Sequence, residues 1–179
     1  MATKWNNKTP WNKDNYVMRC IGAEFGPSKS SGKPMITLEF EVAAPQEVDI
    51  AGEMYTVAGV KTKQYYVTQS IDESGAIDME KTANIQKRLE ELYGHFGLPF
   101  DGFNPENPDV SGFVGKMVWA DVYGDAVEQR KSPTAEELKK GQKQGAVQKN
   151  PITGKPLIQY WPKINEIFGL ATDAAGGQF

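Results

Sequence analysis

The sequence predicts a mainly β protein with five main strands and one main helix. Apolar and polar residues alternate in several short segments, which is the pattern of strands buried on one face. Only one segment carries apolar residues at the spacing of a helix that is buried on one side. With 179 residues, 39% of them hydrophobic, the chain suffices for one domain with one core. We expect this domain over residues 16–170, between a flexible arm of lysines and tryptophans (1–15) and a flexible tail (171–179).

The first two strands are predicted to form a hairpin. In residues 16–25 the apolar phase changes across Gly22, which indicates a bulge or bend in a long first strand. The glycine- and serine-rich segment 26–33 then forms a turn. In the second strand four apolar residues alternate with polar ones: Ile36, Leu38, Phe40 and Val42.

A small inserted hairpin is predicted before the third main strand. Residues 48–50 and 55–57 are short β-forming segments joined through Gly52. The third main strand then follows at residues 61–68.

One helix is predicted between the third and the fourth main strand. Asp78 is the expected N-cap, and Gly97 and Pro99 end the helix. Between these positions four apolar residues recur at helical spacing: Ile85, Leu89, Leu92 and Phe96.

The last two main strands are predicted at residues 116–123 and 157–161. Between them, residues 129–155 are rich in lysine, glutamine and glycine. This segment is expected to be a long mobile loop with a short helix at residues 135–140.

Three strands, a helix and two strands, with a bent first strand, follow the order of the OB-fold. This five-stranded Greek-key barrel binds oligonucleotides with the face of strands two and three. The loops joining strands one to two and four to five also contribute. Here those loops are residues 26–33 and 129–155.

Positive charge is concentrated around these same two loops. Residues 1–33 carry a net charge of +4, residues 34–128 of −11, and residues 129–179 of +4. Such a separation can steer a polyanion to one side of the molecule. The alternative interpretation is that lysines avoid cores and collect in loops.

The first hairpin also resembles a known family. Residues 25–35 (FGPSKSSGKPM), followed by the alternating strand, are similar to the opening hairpin of phage-encoded OB-fold single-stranded DNA-binding proteins. The Gly115-Lys116 strand and the segment 161–164 (WPKI) fit the same pattern more loosely. The resemblance implies a protein of phage DNA replication or recombination that coats single strands in the cytoplasm of the infected bacterial host. The partners it implies are single-stranded DNA and phage replication or recombination proteins, and the chain is also a candidate homo-oligomer.

Binding of single strands without base preference needs cations along the backbone path and aromatic rings for base stacking. Lys29 and Lys33 flank the tip of the first turn, so the loops are expected to contribute more to affinity than the barrel. The full set of candidate DNA contacts is Arg19, Lys29, Lys33, Lys61, Lys63, Tyr65, Trp119, Tyr123, Arg130, Lys131, Lys149, Lys155, Tyr160 and Trp161.

Two structural alternatives compete with this assignment. The aromatic residues could cover the second side of the barrel instead of contacting a ligand. Glu39 and Glu41 could pair with Lys61 and Lys63 across the sheet and neutralise them.

The C-terminal Phe179 follows a glycine-rich segment and is a candidate docking residue for a protein partner. An aromatic ring with a terminal carboxylate can enter a small apolar pocket with a basic rim. The alternative is a frayed end that happens to stop at phenylalanine.

The sequence offers little support for other functional classes. Cys20 is the only cysteine and His95 the only histidine, so neither an intrachain disulfide nor a Cys/His zinc site can form. We expect no cofactor, no metal and no enzymatic activity. A cytosolic protein is expected, because no apolar run has the length of a membrane span or a signal peptide. Two alternatives stay open: a phage structural or host-protein interaction module, and a metal-dependent nuclease that uses carboxylates such as Glu39 and Glu41.

Overall fold

The computed structural model describes residues 3–4, 11, 15–50 and 52–171. Two sheets and two helices make up this part of the chain. In chain order the elements are β1 (Thr3–Lys4), β2 (Asn15–Pro27), β3 (Pro34–Ala44), β4 (Glu47–Ile50), β5 (Glu53–Thr56), β6 (Lys61–Val67), α1 (Met79–His95), β7 (Met117–Glu128), α2 (Ala135–Lys139) and β8 (Ile158–Leu170). The main sheet is antiparallel with the order β6-β3-β2-β7-β8, and the small sheet has the order β1-β5-β4.

The predicted fold class is confirmed at this level. The fold is mainly β, with five main strands, and α1 lies between the third and the fourth of them. The inserted hairpin is present as β4 and β5. The register between β2 and β3 shifts between Cys20 and Gly22, where the change of phase predicted a bulge.

The core lies on the inner face of the main sheet and is covered at one end by α1. The Asp78 side chain caps this helix by accepting a hydrogen bond from the Lys81 amide at 3.0 Å. At the other end of the helix, the Phe96 ring packs 6.1 Å from Phe40 and 4.8 Å from Phe113, measured between ring centroids. The buried sheet residues are the ones that alternation predicts: Ile36, Leu38, Phe40 and Val42 on β3, and Val118, Ala120 and Val122 on β7.

The main sheet curls, but backbone pairing does not close it into a barrel. Its edge strands β6 and β8 approach each other through side chains. Thr62 Oγ1 donates to the Pro162 carbonyl at 2.8 Å, and Gln64 Nε2 donates to the Ile164 carbonyl at 3.1 Å. Both partners advance by two residues, so the two strands run in the same direction here. Two polar side chains of β6 therefore bond to carbonyls at the edge of β8.

The arm predicted over residues 1–15 takes part in the fold where the structure describes it. Thr3 and Lys4 pair with β5 in parallel. Trp11 is buried, with its ring 5.3 Å from that of Tyr16 in an edge-to-face contact. Burial of a large aromatic ring stabilises the folded state, which explains why this part of the arm packs against the domain. Residues 1–2, 5–10, 12–14 and 172–179, including Phe179, lie outside the described residues.

The segment expected to be a long loop, residues 129–155, contains two isolated β-bridges and several backbone hydrogen bonds. Its predicted short helix is present as α2. Backbone hydrogen bonds connect Gln129 N to the Leu157 carbonyl at 2.8 Å and Gln148 N to the Gln129 carbonyl at 2.8 Å. A third joins Lys131 N to the Ala146 carbonyl at 2.9 Å. We call residues 129–157 the β7–β8 lobe.

Candidate nucleic-acid interface

A cleft of about 530 Å³ opens beside the turn that joins β2 to β3, over the outer face of the sheet. We call it the hairpin cleft. Its size lies in the range of pockets that hold small ligands, roughly 300 to 1,000 Å³. The polar and aromatic residues of its lining include Glu24, Lys29, Thr37, Lys63 and Tyr65.

Strand register explains why these residues meet. Glu24 on β2, Thr37 on β3 and Tyr65 on β6 lie opposite one another in one row across three strands. The next row places Glu39 opposite Lys63. Because the neighbouring residues Ile36 and Leu38 face the core, these rows face outward.

Tyr65 presents its ring to the cleft. Its side chain is 60% exposed, a high value for a large aromatic residue. The next residue, Tyr66, turns inward, and burial raises the pKa of its hydroxyl to about 12. Of these two consecutive tyrosines, only Tyr65 is therefore placed to stack against a ligand.

The lysines of β6 keep their charge available. Lys61 lies opposite Glu41 and Lys63 opposite Glu39, the arrangement that would allow neutralising pairs. Glu41 instead accepts a hydrogen bond from Arg19 at 2.9 Å. Within the described part of the chain, neither lysine forms an ion pair. Arg19 is thus held by a carboxylate, whereas Lys63 faces the cleft.

The turn above the cleft separates its two predicted lysines. Ser28 N bonds to the Lys33 carbonyl at 2.8 Å, and Gly32 N to the Ser28 carbonyl at 2.8 Å, which closes the turn. Lys29 lines the cleft, but Lys33 does not. Both side chains are exposed.

Aromatic and basic residues of β8 extend this outer face. The hydrogen bonds from Thr62 and Gln64 place β8 beside β6. The outward residues Trp161 and Lys163 of β8 therefore lie next to the outward lysines of β6. Trp161 is 44% exposed. Lys163 contacts Asp125 at 3.0 Å, and this hydrogen bond raises the pKa of Lys163.

The other predicted aromatic contacts are less accessible. Trp119 is half-buried opposite Val17, and Tyr123 is half-buried opposite Lys163. The half-buried Tyr160 packs so closely to Gly124 that a Cβ there would lie 3.2 Å from the tyrosine's own Cβ.

The predicted cations of the β7–β8 lobe fall into two kinds. Arg130 donates to the Gly145 carbonyl at 3.3 Å and lies 4.0 Å from Glu128, so it has a structural role within the lobe. The other three are exposed: Lys131, Lys149 and Lys155.

Sequence reasoning missed two residues that the structure makes candidates for contact with a ligand. Glu24 lines the hairpin cleft, and its place opposite Thr37 could have been found by extending the alternation of β2 through the bulge. Ile152 is exposed at a turn of the β7–β8 lobe. Its signal was an isolated aliphatic residue between Pro151 and Gly154 in a basic segment.

Two other kinds of functional feature are a metal centre and a membrane-spanning helix. Among the described residues, no group of three or more histidine, cysteine or acidic side chains is placed to hold a metal ion. No helix in the same ranges is long and apolar enough to cross a membrane.

Comparisons with known proteins leave the site to be interpreted from its own geometry. No family model, no curated protein and no solved structure matches the chain.

Proposed function

We propose that this protein binds single-stranded DNA without base preference and without catalysis, using the hairpin cleft. The observation that carries the proposal is the meeting of Lys29, Lys63 and the exposed Tyr65 in one cleft. Cations for the backbone and a ring for the bases are the two components that such binding needs.

We also infer an OB-type architecture for the main sheet, which would support this assignment. Taken as main strands one to five, the sheet has the order three-two-one-four-five, and its two edges approach each other. OB-folds are partly open five-stranded barrels that bind oligonucleotides on the face of strands two and three. The hairpin cleft lies on that face, next to the loop joining strands one and two.

The chemistry assigns a separate task to each residue. The ammonium groups of Lys29 and Lys63 contact neighbouring phosphates, and a base stacks on the Tyr65 ring. Every base has a π-face, so this contact accepts any base. Glu24 repels phosphate and thereby favours the orientation in which the backbone lies toward the lysines.

The proposed biological setting is phage DNA replication or recombination in the cytoplasm of an infected bacterium. It rests on the resemblance of the first hairpin to phage single-stranded DNA-binding proteins. Other replication proteins and further copies of the chain are the expected partners.

Fluorescence anisotropy with a labelled oligo(dT) tests the proposal. The logarithm of the binding constant should fall linearly with the logarithm of the salt concentration. The slope should be about −1.4 or steeper, because each of the two phosphates neutralised by Lys29 and Lys63 contributes about −0.7. Duplex DNA should compete poorly, and magnesium should leave the oligonucleotide intact. Equal competition by duplex would overturn the assignment to single strands, and shortening of the oligonucleotide would favour the nuclease alternative.

A further inference from the structure

The β7–β8 lobe ends in a tight turn, residues 150–155, that carries an aliphatic side chain in water. Ile152 is 91% exposed, the highest value among the exposed large hydrophobic residues of the described chain. An aliphatic side chain of this size gains free energy when a ligand covers it.

Hydrogen bonds order the backbone of the turn that carries Ile152. Asn150 N bonds to the Lys155 carbonyl at 2.8 Å, and Gly154 N bonds to the Asn150 carbonyl at 2.9 Å. The Asn150 side chain also accepts a hydrogen bond from the Ile152 amide at 2.8 Å. Gly154 has a φ of 70°, a conformation that glycine adopts without strain. The apolar tip is therefore presented by a structured turn.

The base of the lobe is packed as well. A Cβ on Gly145 would lie 2.7 Å from the carbonyl oxygens of Lys131 and Ser132, so only glycine fits there. Leu157 N bonds to the Gln148 carbonyl at 2.9 Å, which joins the arm of the turn to the start of β8. The turn is thus joined to the segment that leads into β8.

Positive charge flanks the tip on both arms. Lys149 is paired with Pro156 across the turn, and Lys155 precedes that proline. Both lysines are exposed. An apolar side chain between two cations is complementary to a single strand, in which successive phosphates carry bases with apolar faces.

We propose that Ile152, with Pro151 beside it, is a wedge that enters between neighbouring bases of a bound single strand. Lys149 and Lys155 contact the phosphates on either side. In duplex DNA, isoleucine and proline are among the side chains that proteins insert between base steps to unstack them, and we infer the same contact for a single strand. This inference rests on the proposed function and adds a second point of contact, separate from the hairpin cleft.

An oligonucleotide that carries 2-aminopurine tests the wedge, because this base fluoresces more strongly when it is unstacked. Wild-type protein should raise the fluorescence. Ile152→Ser should abolish most of this rise and weaken binding by about threefold to tenfold, as expected for one partly covered aliphatic side chain. The matched control is Leu138→Ser on α2 of the same lobe. Leu138 is also exposed, at 59%, but it does not lie on the turn of residues 150–155. This control should leave both signals unchanged, and thermal unfolding should show that both variants stay folded.

The possible outcomes separate this inference from the proposed function. If Ile152→Ser matches wild type in fluorescence and affinity while Tyr65→Ala binds weakly, the wedge is wrong and the hairpin cleft stands. If Leu138→Ser loses as much as Ile152→Ser, contact with the lobe is unspecific and the wedge is also wrong. If the wild-type protein binds no oligonucleotide at all, both proposals fail.

Discussion

The two basic regions of this molecule, residues 26–33 and the β7–β8 lobe, are both rich in lysine and glycine, but they differ in structure. The turn between β2 and β3 is short, and its Lys29 lies over a cleft whose floor supplies a ring and a second cation, Tyr65 and Lys63. The β7–β8 lobe is longer, and two of its exposed lysines, Lys149 and Lys155, flank a turn with the exposed Ile152 instead of a cleft. Charge therefore marks both regions, but only one combines charge with a ring for stacking. We expect the hairpin cleft to supply most of the affinity and the lobe to add a smaller part.

The largest effect is expected from Tyr65→Ala. Loss of one stacking ring should weaken oligo(dT) binding by about 1 to 3 kcal/mol. Tyr65→Phe keeps the ring and should bind nearly as well as wild type in the same anisotropy assay. The comparison between the two regions breaks down if the alanine variant binds normally.

A smaller effect separates the two lysines of the turn. Lys29→Ala should weaken binding about threefold to fivefold at low salt and reduce the salt slope by about 0.7. Lys33→Ala should change affinity less, because Lys33 does not line the cleft. Lys87→Ala on α1 removes the same charge elsewhere and serves as the control. Equal losses for Lys29 and Lys33 would show that charge on the turn matters and its position does not.

The lobe lysines should matter less than the cleft lysines. The double substitution Lys149→Ala and Lys155→Ala should weaken binding about twofold to threefold and flatten the salt dependence. A loss larger than that of Lys29→Ala would reverse the ranking of the lysines in the two regions.

The smallest effect should be a gain. Glu24→Gln removes a negative charge from the hairpin cleft, and affinity should rise about twofold at low salt, with the gain disappearing at high salt. Weaker binding by this variant would instead assign the carboxylate a direct contact with the nucleic acid.

Alternation and capping made much of the fold predictable. The buried residues of β3 and β7, the cap at Asp78 and the bulge near Gly22 depend on neighbours in sequence, and the structure agrees with each. The approach of β6 to β8 through Thr62 and Gln64 depends on residues about 100 positions away, which no local pattern reports.

In the candidate site, too, local features were predictable from the sequence and contacts between distant residues were not. Strand alternation places Tyr65 in phase with Lys63. The 60% exposure of Tyr65, by contrast, is known only from the structure. The ion pair of Arg19 with Glu41 is set by the register of two strands, and it removes a cation that the sequence placed among the contacts. The backbone hydrogen bonds within the β7–β8 lobe were not predicted, because they join short polar segments that have no apolar periodicity.

Photo-cross-linking tests the central claim most directly. A single-stranded oligonucleotide that carries 5-iodouracil is irradiated in complex with the protein, and the linked residue is identified by mass spectrometry. The hairpin cleft predicts an adduct on Tyr65 that high salt weakens and that Tyr65→Ala abolishes. Adducts found only outside the cleft, for example on Trp161 or Tyr123, would contradict the account.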